Sequence, residues 1–156
     1  LEFFEAARQI DGRSEKVYLY IALCHIAQED FELAEEGLNE YLKFAPNDAQ
    51  ALKEKAFLEA KRGRYDLALT SIKKAIAETP DWEELYWDAA GVCALIGRLE
   101  DAIRFLERGE AFTNPEIAYK IYQQSVFQPV RFSELGRIYE RELAERTRRQ
   151  IKQNQR

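Results

Sequence analysis

Residues 63–80 read GRYDLALTSIKKAIAETP, and residues 97–114 read GRLEDAIRFLERGEAFTN. The two stretches begin 34 residues apart, and glycine, arginine, alanine and a large apolar residue recur in step. The same shift aligns Ala34 with Ala68 and Ala102, and Leu38 with Ile72 and Leu106. It also aligns Phe31, Tyr65 and Leu99, and Ala22, Ala56 and Ala90. Pro46 falls on Pro80, while the third copy has Asn114 there and Pro115 one residue late. A period kept over so many columns marks internal repeats, here 15–48, 49–82 and 83–116.

Within each copy the apolar spacing is helical. Leu52, Ala56 and Ala60 lie four apart, and Ala68, Ile72 and Ala75 form a second stripe after the break at RGRYD. Gly63 and Gly97 stand where a helix should stop, because glycine reaches left-handed dihedrals at little cost. Pro46 and Pro80 close the second helix of their copies. Each repeat therefore reads as a helix–turn–helix hairpin, and the chain as all-α.

These residues resemble tetratricopeptide repeats, hairpins of 34 residues that stack into a right-handed α–α superhelix, or solenoid. The family's small crossing positions match Ala22, Ala56, Ala90, Ala34, Ala68 and Ala102. Its large apolar positions match Tyr18, Leu52 and Tyr86, then Leu38, Ile72 and Leu106; its closing proline matches Pro46 and Pro80. Three departures stand out. Lys55 and Glu59 occupy positions where the family has Leu and Tyr, and Gly109 one where it has Ala. Lys55 and Glu59 are i, i+4 and read as a partly solvated pair.

The flanks extend the pattern into one domain over residues 1–156. Residues 1–14 read as the second helix of a partial upstream repeat, with Phe4 and Ala7 one period before Leu38 and Tyr41. Residues 117–156 read as a partial repeat and a capping helix, the partial repeat having Ile121 at the large position and Ser125 at the small one. The capping helix is expected to pack Phe132, Leu135, Ile138, Tyr139 and Leu143 on one face, since a solenoid must cover its last apolar surface. A chain that starts at Leu1 and has no methionine reads as a piece of a longer protein.

Composition narrows the function. The chain is 46% apolar and 33% charged, a globular balance with no apolar run long enough to span a membrane. A net charge of −5 argues against a dedicated nucleic-acid binder. Residues 131–156 carry eight basic and four acidic residues, a basic tail on an acidic body. Membrane contact is expected through that tail or not at all. Cys24 and Cys93 sit in apolar contexts and read as buried free thiols, which favours a reducing, cytoplasmic compartment.

No catalytic constellation is legible. His25 is the only histidine, in an apolar context that suits packing, and one His with two separated Cys is too few for zinc. Phosphate-loop, nucleophile-elbow and metalloprotease motifs are missing from the sequence. The chain therefore reads as a non-enzyme with no metal and no cofactor.

Binding remains, and the resemblance implies where. First helices of such repeats line a concave groove, which places Leu19, Leu23, Lys53, Phe57, Lys61, Trp87, Gly91 and Leu95 on it. Trp87 with Gly91 one turn later suggests a ring beside a gap, a pocket for a partner's side chain. Family members that grip acidic chaperone tails use Lys, Asn and Arg at positions that here are Leu19, Leu23, Glu54, Glu84 and Asp88, so that clamp is absent. The expected function is a scaffold or assembly factor holding a protein or peptide segment. Alternatives are a holder of secretion clients like the translocator chaperones of type III secretion, an accessory region of a larger enzyme, and self-association through solenoid ends exposing Phe3, Phe4 and Ile10.

Overall fold

The computed structural model describes residues 16–155, all of whose regular elements are helical. The expected upstream helix over 1–14, with its self-association residues, lies outside them. The described residues fall into two compact units, one ending at Glu78 and the other starting at Thr79.

The first unit holds two hairpins, α1 (Lys16–Ala27) with α2 (Phe31–Phe44), and α3 (Ala49–Lys61) with α4 (Tyr65–Glu78). Their crossings are as close as the alanine columns require: Ala22, Ala34 and Ala68 are fully buried, beside Leu38 and Ile72. Asp48 has two tasks. One carboxylate oxygen caps α3 by accepting from the Ala51 N–H at 2.9 Å, and the other accepts from the buried Tyr41 hydroxyl at 2.9 Å, which ties α3 to α2. Arg62 and Arg64, after α3, hold Glu35, and Arg62 also holds Glu32 at 2.9 Å.

The hairpin turns share one backbone solution. Gly63 and Gly97 have φ of +73° and +75°, left-handed values that end α3 and the first helix of the third hairpin. One period upstream, Glu29 takes the same conformation with φ of 61°, and it is not a glycine.

Lys55 and Glu59 do not pair with each other. Lys55 donates to Asn39 Oδ1 at 3.2 Å, whereas Glu59, only 5% exposed, accepts from Ser71 Oγ at 2.9 Å. The two polar departures from the repeat pattern thus serve α2 and α4 separately.

The second unit holds the third hairpin, α5 (Glu83–Leu95) with α6 (Leu99–Glu110), followed by α7 (Pro115–Tyr122), a single 3-10 turn at Ser125–Phe127, α8 (Gln128–Arg131) and α9 (Glu134–Asn154). Asn114 caps α7 through the Ile117 N–H at 2.9 Å, with Pro115 at the first helical position where its missing N–H costs nothing. The expected partial repeat is cut short. Its helix ends at Tyr122, the buried residues are Ala118 and Tyr122, and Ser125 is exposed in the turn that follows.

The long terminal helix is present, turned differently from the expectation. Gly136, Tyr139 and Leu143 are its buried residues, while Phe132 is 74% exposed and Leu135 and Ile138 are exposed too. Gly136 supplies the reason: a Cβ there would overlap the Val130 carbonyl oxygen and crowd the Tyr122 hydroxyl. Only glycine lets α9 approach so closely, and that approach selects the face turned inward. Tyr122 then donates to the Gly136 carbonyl at 2.9 Å, and Arg146 grips both Glu110 carboxylate oxygens at 2.8 and 2.9 Å, holding α9 on α6.

Of the two thiols, Cys93 is buried and Cys24 is exposed. The apolar neighbours of Cys24 in sequence face the α1–α2 core, and the thiol lies on the opposite side of its helix. His25 is largely buried, with Nδ1 3.9 Å from an Asp30 carboxylate oxygen.

Candidate functional site

The first helices of the hairpins supply the candidate site, and the structure sorts its residues by burial. On α1, Leu19 is buried and Leu23 is half-buried against the cluster of Ala22, Ala34, Leu38 and Tyr41. Both serve first as core.

On α3, Lys53, Phe57 and Lys61 follow one another at i, i+4 and i+8, which puts them along one face. Lys53 is half-buried, Lys61 exposed, and Phe57 40% exposed. Neighbours fix the Phe57 ring. Phe31, at the start of α2, meets it edge-on with centroids 6.4 Å apart and planes at 73°. The Lys61 ammonium lies 5.2 Å from its centroid, within cation–π range. An aromatic surface held on two sides and open on a third, beside a cation, suits an apolar side chain followed by a carboxylate.

The sequence gives no direct sign of Phe31 as a site residue, because it reads as a repeat-column position. Its distance from Phe57 along the chain hides the contact. The available signal is that Phe31 is the one wholly apolar aromatic of its column, against Tyr65 and Leu99.

In the second unit the sequence's pairing of Trp87 with Gly91 gives way to two different contacts. Trp87 is 8% exposed, and its ring fills the space where a Gly109 side chain would be, with Cζ3 2.7 Å from an ideal Cβ position. Gly91 instead faces Val126, whose Cγ2 would lie 3.7 Å from a Cβ. Leu95, at the end of α5, is exposed. Another aromatic pair recurs across two periods: Tyr18 stacks on Phe44 with centroids 6.2 Å apart, and Tyr86 on Phe112 at 5.5 Å. The middle repeat has Leu52 and Glu78 at those positions.

Among the described residues, no three His, Cys, Asp or Glu side chains gather as a metal site, and no helix is long and apolar enough to cross a membrane.

Paired antiparallel helices on one period define a helical-repeat protein. A family model described as tetratricopeptide repeat matches residues 1–56. No curated protein matches. Solved structures share the fold. MamA from Desulfovibrio magneticus RS-1 is 18% identical, covering 91% of this chain and 76% of that one, with a TM-score of 0.68. The TPR2B domain of yeast Sti1, solved as a complex with pHsp70, is 20% identical, covering 74% of this chain and 94% of that one, with a TM-score of 0.65. The O-GlcNAc transferase of Thermobaculum terrenum is 22% identical, covering 85% of this chain and 26% of that one, with a TM-score of 0.68. Family match over residues 1–56, the 34-residue period and the shared fold all point to a helical-repeat architecture of the tetratricopeptide type.

Proposed function

We propose that the chain is a non-catalytic protein-interaction module, a scaffold or assembly factor that takes a partner segment along the first helices of its hairpins. The observation that carries this reading is the exposed Phe57 ring, held by Phe31 and Lys61 on a rigid helix. A surface set before the partner arrives lowers the ordering cost of binding. Lys53, Phe57 and Lys61 form its centre in the first unit, while Leu19 and Leu23 serve the α1–α2 core. In the second unit, taken by itself, Leu95 is exposed at the end of α5, while Trp87 packs on Gly109 within the hairpin and Gly91 faces Val126.

The shared fold of the Sti1 domain supports a peptide ligand, but the residues for gripping an acidic chaperone tail are missing, so the segment sought here is apolar with an acidic neighbour. A pull-down from native lysate tests this, comparing the chain with a Phe57→Ala, Lys61→Ala variant whose helicity is checked by circular dichroism. A partner lost by the variant supports the reading; one retained at full strength removes the α3 ridge from it.

The likeness to about a quarter of an O-GlcNAc transferase chain favours a second reading, an accessory repeat region attached to an enzyme. A catalytic domain in the full-length gene product, with turnover that falls in the Phe57→Ala, Lys61→Ala variant, would establish it.

A further inference from the structure

The cations of the second unit are divided in an uneven way. Arg98, Arg104, Lys120, Arg146 and Arg149 each hold a carboxylate, Arg108 lies over the Tyr86 ring, and Arg131 bonds Gln123. Among the described residues of this unit, the cations with no ion pair, no side-chain hydrogen bond and no ring contact are Arg137, Arg141, Arg148 and Lys152, all exposed and all on α9. At about 100° per residue these four fall within a sector of roughly 60°, opposite the buried face of Gly136, Tyr139 and Leu143. They run along about 22 Å of the helix axis.

A solvated helix would be expected to scatter its cations or pair them with its own acids at i, i+4. Here Glu142 and Glu145 are drawn to Arg146 and Arg149, and Glu140 accepts from Gln123. Glu134 and Glu140 lie beside Arg137 and Arg141, so the four cations outnumber the acids next to them. Beside the stripe lies an exposed apolar edge. Ile138 lies in the same shallow depression as Arg137 and Arg141, and Leu135 and Phe132 continue from it.

We propose that α9 docks on an anionic lipid surface, with the four cations among the headgroups and Phe132, Leu135 and Ile138 at the acyl boundary. The shape favours lipid over an acidic peptide, because the solvent ridge of one helix is convex and its four cations are spread along about 22 Å of it. A planar layer of negative charge meets all four cations at once, and exposed aromatic and aliphatic side chains gain from the acyl boundary as they would not from a polyanion in water. This goes beyond the peptide-binding reading and shares no residue with the α3 ridge.

Vesicle co-sedimentation tests it with the full chain. Vesicles of phosphatidylcholine alone should leave the protein in solution, and vesicles with about one-third phosphatidylserine should carry it down, less so as salt rises. Arg137→Glu, Arg141→Glu, Arg148→Glu and Lys152→Glu together touch no buried side chain and should weaken partitioning by on the order of a hundredfold. Phe132→Ser alone should weaken it without changing its salt dependence. Equal sedimentation with both vesicles, none with either, or full binding by the fourfold variant would overturn the proposal. Capture of polyglutamate or RNA by the stripe without vesicle binding would overturn it as well.

Discussion

The Trp87 ring occupies the space that a side chain at residue 109 would need: an ideal Cβ on Gly109 would fall 2.7 Å from Cζ3, 2.8 Å from Cη2 and 2.9 Å from Cε3. The family has alanine at this position, and the indole across the hairpin is the physical reason this chain does not.

Gly109→Ala should therefore destabilise the protein by about 1–3 kcal/mol through overpacking, which outweighs the ~1 kcal/mol that alanine gains over glycine inside a helix. In a Trp87→Leu background the same substitution should be neutral or stabilising. Chemical denaturation of the four variants gives the coupling directly, and additive effects would refute the contact.

Glu29 holds the left-handed turn conformation that Gly63 and Gly97 hold in the later hairpins. Glycine adopts it without the Cβ penalty, so Glu29→Gly should stabilise the protein by up to about 1 kcal/mol despite the added freedom of the unfolded chain. The reciprocal Gly63→Ala should cost about 1 kcal/mol even though nothing lies within 4 Å of its Cβ position. Thermal unfolding midpoints decide both.

Glu59 keeps a carboxylate under the α3–α4 crossing with the Ser71 hydroxyl as its donor. Ser71→Ala should cost about 1–3 kcal/mol by leaving that group buried without its bond. Adding Glu59→Leu to the same chain should recover most of the loss, since an apolar pair has nothing left to satisfy. Urea midpoints of the single and double variants test the order.

Tyr139 is buried with no hydrogen-bond partner for its hydroxyl, and burial raises its ionisation well above the usual phenol range, with Glu110 adding to the effect. Burial, then Glu140, pushes Tyr122 up to about 12. An acid group whose ionisation is raised on folding contributes stability that is complete below its unfolded value near 10 and is lost as pH climbs above it. Stability should accordingly be flat up to about pH 10 and fall from there to 12. Tyr139→Phe should stabilise the protein by ~1 kcal/mol at neutral pH and make the alkaline decline shallower by one proton. Denaturation series at several pH values check both effects.

The hairpins were legible because their crossings need small residues at fixed places, and Ala22, Ala34, Ala68, Ala90 and Ala102 announce them on a constant period. The position of Phe57 on a first helix was legible for the same reason. Contacts that depend on one pair of residues rather than on the period were not. Whether Trp87 meets Gly91 or Gly109 is decided across the hairpin, and both glycines look alike in the sequence. The terminal helix shows the same limit: Phe132, Leu135 and Ile138 share the apolar stripe with Tyr139 and Leu143, and Gly136, through its contact with the Val130 carbonyl, decides which side packs. Cys24 escaped because an apolar neighbourhood along the chain says little about which side of a helix a residue occupies.

A photoreactive benzoylphenylalanine placed at position 57 would probe the α3 ridge most directly, with the same group at the exposed Lys73 on α4 as the comparison. In native extract, position 57 should form a discrete protein adduct that position 73 does not form and that Lys61→Glu abolishes. Adducts of equal strength from both positions, or an adduct only from position 73, would contradict binding along the first helices.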